Sequence, residues 1–305
     1  MSRPTGQQLE IANGDARAIV TEVGASLRSF EVAGVPYTET YGADELPPLG
    51  AGCVLVPWPN RVDGATWSHA GVRRRLEVTE PARGNAIHGL VRREQWTVVE
   101  HGDRTVLLAV EVGEVQGWPF PFRTTIRYTL DDGAAGLTVT HTVHNTGNEE
   151  MPFGVGTHPY PRPGRTDVDD CSLTLAARTV LPVDPETMIP AGKPQSLEGT
   201  DLDFRGGRLL RGVELDTAFG DCEPGADGVI RHSVTGPDGA GVELWAEACF
   251  GWVQVFTPAE FPGKGARAVA VEPMTCPPDA LNSGVDLITV APGDTWTGSW
   301  GIRPR

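Results

Sequence analysis

The sequence predicts an all-β fold, a sandwich or barrel of antiparallel strands. Three observations predict it. Apolar and polar residues alternate with a period of two in one short run after another. Gly, Pro, Asp and Asn separate those runs at short intervals. No stretch longer than two turns carries an apolar stripe of helical period. In chain order, runs at 18–23 and 27–32 open the series, and 96–100 and 105–111 continue it. The next pair is the clearest. In 123–130, Ile126, Tyr128 and Leu130 share one phase, and after the turn signal Asp131-Asp132-Gly133, Leu137, Val139 and Val143 take the inward phase while Thr138, Thr140 and Thr142 take the other. Such a pair has one dry and one wet side, as antiparallel strands allow. Runs at 228–234, 242–246, 252–257, 268–272 and 295–302 follow, with at most one short helix at 277–283. Segments 161–170 and 190–207 are polar and rich in Pro and Gly, and read as long surface loops, where an all-β scaffold often builds its site. No linker, repeat or shift of composition divides the chain, so residues 1–305 read as one domain.

Composition narrows the function. The formal charge of −15 repels a phosphate backbone and an anionic membrane, which argues against both as partners. Gly (38) and Pro (26) make the chain turn-rich without reaching the roughly 25–30% that marks disorder. An apolar share of 39% and eight Trp spread from Trp58 to Trp300 supply a real core. The first residues hold no apolar stretch of signal-peptide length, and nowhere do about 18 apolar residues run together, so a cytoplasmic protein is expected. Cys53, Cys171, Cys222, Cys249 and Cys276 are odd in number and form no C-x-x-C pair, which predicts buried, reduced thiols rather than disulfides or a zinc ribbon.

Polar side chains cluster beside Gly and Pro in four places: Pro57-Trp58-Pro59-Asn60-Arg61, Gly84-Asn85-Ala86-Ile87-His88-Gly89-Leu90, Gly156-Thr157-His158-Pro159-Tyr160 and Val271-Glu272-Pro273. A fifth segment, Leu215-Asp216-Thr217-Ala218-Phe219, sets a carboxylate among apolar residues. Pro159 keeps His158 out of the helical region, so it sits on extended backbone at a strand end. A lone His is ordinarily a capped core or loop residue. Glu272 differs, because it closes an apolar run, and burying its charge costs several kcal/mol unless it is paired or used. Two histidines and a carboxylate admit two chemistries. One is an Fe(II) or zinc site with an open position. The other is metal-free acid/base catalysis, with a carboxylate as base and an imidazolium as acid. The spacing of His88, His158 and Glu272 matches no local metal signature and does not decide. Gly154-Val155-Gly156 is no dinucleotide fingerprint, since no third Gly and no helix follow. Arg73-Arg74-Arg75 and Arg92-Arg93 read first as solvated faces.

Taken in order, Asn60-Arg61, His88-Gly89, Thr157-His158-Pro159-Tyr160, Leu215-Asp216, Val271-Glu272-Pro273 and Pro278-Asp279-Ala280-Leu281-Asn282 resemble the aldose 1-epimerase (galactose mutarotase) family. The resemblance runs from about residue 10 to the C-terminus. It implies a β-supersandwich that interconverts the α and β anomers of a free aldose, with no cofactor and no metal. By motif, His158 corresponds to the general acid and Glu272 to the general base. Arg61, His88 and Asp216, with Asn60 beside them, correspond to the groups that bind and orient the sugar. For His158 to act as an acid near neutrality, its pKa is expected at or above the ordinary 6.5, raised by a neighbouring carboxylate and the acidic balance of the chain.

One departure bears on the substrate. His88-Gly89-Leu90-Val91-Arg92 replaces the His-Gly-Gly of galactose-type members. The variant resembles a bacterial branch with links to the sulfonated sugar sulfoquinovose, and a branch acting on hexose 6-phosphates also lacks the second Gly. Arg61, Arg92 and Arg93 flank the motifs nearest the sugar, so a sulfonated or phosphorylated hexose stands beside a neutral pyranose as substrate. Two other classes remain open: a non-catalytic sugar-binding module, which has no need of both His158 and Glu272, and a cupin-like metalloenzyme. A homodimer is also open.

Overall fold

The computed structural model describes residues 3–132 and 136–305. Its regular structure is almost wholly antiparallel strand, and among the described residues helix is limited to one α-helical turn at Ala280–Ser283 and three 3-10 turns at Pro48–Gly50, Asp63–Ala65 and Val168–Asp170. The largest sheet has nine strands. From one edge to the other they are Thr97–His101, Thr105–Val112, Phe122–Leu130, Leu137–Asn145, Thr295–Pro304, Gly241–Glu247, Val229–Thr235, Ser172–Thr174 and Arg208–Leu209. In its central pair Tyr128 faces Val139 and Leu130 faces Leu137, and Thr125, Thr129, Thr138, Thr140 and Thr142 take the wetter side, while Thr124 is buried on the inward one. Gly133, the last residue of the predicted turn, lies outside the described residues.

A seven-stranded sheet carries Asp216 and Glu272 and leads into His158. Its order is Gln195–Ser196, Thr179–Leu181, Asp216–Gly220, Trp252–Phe256, Ala270–Met274, Gly156–Thr157 and Val54–Leu55. Strand residues alternate between faces. Phe219, Val253, Val255 and Val271 point into one continuous apolar core. That core they share with Ile126, Tyr128, Val143 and Trp300 of the nine-stranded sheet and with Leu9, Ile11, Val20 and Phe30 of a four-stranded one. The opposite face must then hold Asp216, Gln254 and Glu272, and the register puts them side by side: Gln254 faces Glu272 directly, and Asp216 faces Phe256. Two small apolar clusters flank this polar row, Leu181, Ala218, Trp252 and Met274 on one side and Tyr41, Ala51, Tyr160, Phe261, Ala268 and Ala270 on the other.

The predicted run at 268–272 is displaced. The strand is Ala270–Met274, and Glu272 stands at its centre rather than its end. Both faces of this strand are covered and all five residues are buried, so no alternation marks its bounds. All five cysteines are free thiols; four are buried and Cys249 is half-buried. Among the described residues no helix is long and apolar enough to cross a membrane.

Candidate active site

His158 follows the strand Gly156–Thr157, on the extended backbone that Pro159 imposes. The chain from Gly50 to Cys53 grips it: Gly52 N donates to the His158 carbonyl at 2.9 Å and His158 N donates to the Cys53 carbonyl at 3.2 Å. One face of the imidazole stacks on Tyr160, with centroids 5.2 Å apart and planes at 20°. Tyr160 is itself fixed by its hydroxyl donating to the Leu49 carbonyl at 3.1 Å. Gly50 packs against the same ring; a Cβ there would lie 2.9 Å from His158 Cδ2, and the residue has φ +76°, so glycine is required twice over.

His88 reaches the site on a different support. A two-residue ladder pairs Arg61 with Ile87 and Val62 with Ala86, and His88 N donates to the Asn60 carbonyl at 2.9 Å. Gly89 then passes so close to Val56 that a Cβ would sit 2.1 Å from its carbonyl oxygen, which accounts for the glycine after His88. The His88 and His158 rings meet edge to face at 5.5 Å. Asn60 lines the pocket but spends its Oδ1 on the Arg61 backbone N–H, 2.9 Å away. The motif Pro278-Asp279-Ala280-Leu281-Asn282 is scaffolding for this segment. Asp279 N donates to the Arg61 carbonyl at 2.8 Å, Asp279 Oδ1 accepts from Asp63 N at 3.0 Å, and Asn282 Nδ2 donates to the Thr66 carbonyl at 2.9 Å.

The structure brings Asn60, Arg61, His88, His158, Asp216 and Glu272 around one pocket of about 420 Å³. His158 Nε2 lies 3.3 Å from Glu272 Oε1. Two further residues complete the polar wall and were not foreseen. Glu80 accepts from Arg61 Nε at 2.9 Å and from Nη2 at 3.0 Å, and Gln254 Nε2 donates to Asp216 Oδ1 at 2.6 Å. Gln254 had a readable signal, a polar side chain inside the apolar strand Trp252–Phe256; Glu80 had none. A larger cleft of about 550 Å³ adjoins the pocket and shares Thr79, Arg92 and Arg93 with it, but holds neither His158 nor Glu272. Arg92, half-buried, and Arg93, exposed, thus stand at the pocket as well as facing solvent, whereas Val72–Arg75 is mostly exposed and lines neither cavity. The predicted loops 161–170 and 190–207 contribute nothing to the pocket lining.

Electrostatics runs against one expectation. Burial pushes His158 down to about 3, and the Arg92 cation adds to it, so the imidazole is not held at or above its ordinary value. Burial likewise lowers His88, helped by His158 and Arg92, and raises Glu272, helped by Asp216 and opposed by Arg61. The two shifts run in opposite directions and each favours the neutral form, so in the empty pocket burial favours a single proton on the pair, carried by Glu272. Glu272 Oε2, Gln254 Oε1 and the Nδ1 atoms of His88 and His158 are buried and find no partner within the protein. A donor and an acceptor sharing a proton, walled by the polar side chains of Arg61, His88, Asp216 and Gln254, suit the transfer of protons between two oxygens of a small ligand. Among the described residues no cluster of three or more His, Cys, Asp or Glu is arranged to hold a metal ion.

Comparison with known proteins agrees with the resemblance. The family model for aldose 1-epimerase matches residues 7–303. The Escherichia coli (strain K12) protein YihR is 31% identical over 294 residues, covering 95% of this chain and 90% of that protein. Human galactose mutarotase is 29% identical over 162 residues, 50% of this chain and 45% of the enzyme. Among solved structures, the GalM/aldose epimerase homologue from C. elegans superposes with a TM-score of 0.85 at 18% identity, covering 98% of both chains. A galactose mutarotase-like protein from Clostridium acetobutylicum gives 0.82 at 18%, covering 97% of this chain and 94% of that one. Those two likenesses speak to the fold. The family match, nearly end to end, speaks to more: this chain belongs to the aldose 1-epimerase family of isomerases.

Proposed function

We propose that the protein is a mutarotase that interconverts the α and β anomers of a free pyranose, with Glu272 as base and His158 as acid. The observation that carries the reading is the buried 3.3 Å contact between His158 Nε2 and Glu272 Oε1 at the pocket wall. Hydroxyl groups of the entering sugar donate to Glu272 and favour its carboxylate, so the shared proton rests on His158. Glu272 takes the proton of the anomeric hydroxyl while His158 gives its proton to the ring oxygen. The C1–O5 bond breaks and C1=O forms. The aldehyde turns about C1–C2, and the ring oxygen attacks the other face as both protons return. Arg61, His88 and Asp216 hold the ring hydroxyls through the opening. Each proton transfer can supply about 10²–10⁴-fold.

Glu272→Gln keeps the size of the side chain and loses the base. Anomer exchange, followed by NMR at saturating sugar, should fall by roughly 10²–10⁴-fold with sugar binding retained, and His158→Asn should fall comparably. The double variant should lose much less than the product, since the two act on one event. Near wild-type exchange in Glu272→Gln would leave the pocket a sugar-binding site only.

A second reading concerns the substrate. Arg92 and Arg93 line the pocket, and among the described residues neither is ion-paired, in a chain of net charge −15. Two neighbouring guanidinium groups without a carboxylate favour a hexose bearing a sulfonate or a phosphate.

A further inference from the structure

Arg61 lies between two carboxylates, and they hold it unequally. Glu80 takes the guanidinium along one edge, Nε to Oε2 at 2.9 Å and Nη2 to Oε1 at 3.0 Å. Asp216 Oδ2 stands 3.6 Å from the same Nη2, beyond hydrogen-bond length. Gln254 draws Asp216 from its other oxygen at 2.6 Å. Glu80 is firmly placed. Its backbone closes a tight hairpin, with Glu80 N donating to the Asn85 carbonyl and Gly84 N to the Glu80 carbonyl, each at 2.9 Å. Arg83 Nη1 at 3.2 Å and Asn85 Nδ2 at 3.4 Å reach the carboxylate as well.

We propose that Glu80 is a positioning residue that holds Arg61 away from Asp216, and so keeps Asp216 and the outward N–H groups of Arg61 open to the hydroxyl groups of the sugar. A bidentate grip fixes the guanidinium plane, which a single contact cannot do. It also spends part of the Arg61 charge, so the pull towards Asp216 is weakened. Without it, Asp216 is the next carboxylate at hand, and shortening 3.6 Å to a charge-assisted bond of about 2.8 Å takes a movement of less than about 1 Å. That bond would close the two groups on each other, and a ligand would have to break it. Glu80 touches no reacting atom. Its effect falls on binding, and the rate of the bound sugar is untouched.

The proposal rests on the mutarotase reading for its kinetic assay, with glucose and galactose as probes. Glu80→Gln should raise KM about tenfold or more, the loss of one charge-assisted hydrogen bond to the ligand, and leave kcat within about twofold. In the pair with Asp216→Asn the effect should vanish: the double variant should match Asp216→Asn alone, because Arg61 then has no carboxylate to close on. Should Glu80→Gln not fold, Glu80→Asp keeps the charge on a shorter arm and should give an intermediate KM. A loss confined to kcat, an unchanged KM in a folded variant, or additive effects in the double variant would each overturn the proposal. Absence of exchange in the wild type would instead remove the mutarotase reading; titration of either sugar by ligand-observed NMR would still compare Kd for wild type and Glu80→Gln.

Discussion

A pocket that holds one proton between His158 and Glu272 should exchange anomers at a nearly constant rate across the range in which an ordinary imidazole titrates. Burial takes His158 from 6.5 to about 3, a penalty on its cation of about 5 kcal/mol. Burial moves Glu272 the opposite way, well above the ordinary carboxylate range. The order of the two groups is thereby reversed. The acid limb of the profile marks the second proton reaching the pair, near the depressed His158 value; the alkaline limb marks loss of the only proton, at the raised Glu272 value. A pair titrating at its ordinary values would give a narrow bell between about 4 and 6.5. Here the limbs stand further apart, and the maximal rate carries the fraction of pairs with the proton on His158. The assay is NMR exchange or polarimetry at sugar well below KM, so that kcat/KM reports the empty pocket, between about pH 5 and pH 8 with the spontaneous rate subtracted. A half-maximal loss centred near pH 6.5 on the alkaline side would show that His158 titrates as an ordinary imidazole and refute the reasoning.

Two other outcomes follow. Arg92→Ala and Arg93→Ala should each lower kcat/KM for a 6-sulfonated or 6-phosphorylated hexose by about tenfold or more and leave glucose unchanged; equal kcat/KM for the charged and neutral hexoses, unmoved by either substitution, would return the two arginines to solvent. The fold should also weaken in mild acid. His141 and His232 are fully buried and each accepts a hydrogen bond, from Trp300 Nε1 at 3.1 Å and from Ala176 N at 3.3 Å. Burial lowers them to about 3 and about 4. The unfolded chain binds the proton first, so their stabilisation is complete above about pH 6.5 and is lost as pH falls, by about 2 kcal/mol each at pH 5. His88 and His158 act in the same sense, and Glu272 in the opposite one. Urea unfolding at pH 8 and pH 5 reads the difference, and equal midpoints would remove the imidazoles from the balance.

The fold was legible where one face of a strand meets water. Phe122–Leu130 and Leu137–Asn145 show their register in the sequence because Ile126, Tyr128 and Leu130, and Leu137, Val139 and Val143, share the inward phase while Thr138, Thr140 and Thr142 take the other, with Thr124 and His141 the polar residues that the inward face admits. Ala270–Met274 is covered on both sides, so its apolar run shows that a strand exists without showing where it stops. Asp216–Gly220 and Thr179–Leu181 are too short for a period to declare itself, and they were found only through the sheet that they join.

The candidate site divides along the same physical line. Asn60, Arg61, His88, His158, Asp216 and Glu272 were readable as an ordered set of motifs, and Glu272 also through the cost of burying its charge. The same argument applies to Gln254, the polar residue of a strand whose other positions are apolar, and would have found it. Glu80 could not be found that way, because its meaning lies in a contact with Arg61, 19 residues back, closed by a turn with no periodic signature. The protonation of His158 was misjudged for a related reason. Net charge acts from a distance and is screened over about 8–10 Å, whereas desolvation acts at the atom itself. His158 is 5% exposed, and an acidic surface cannot restore to it the water that the fold removes. Among the described residues Glu272, 3.3 Å away, is the carboxylate in contact with it, and it stabilises the proton only when ionised, a charge that its own burial disfavours. On the proposed mechanism the sugar itself sets the state of the pair, since a hydroxyl donated to Glu272 favours the carboxylate and so the imidazolium beside it.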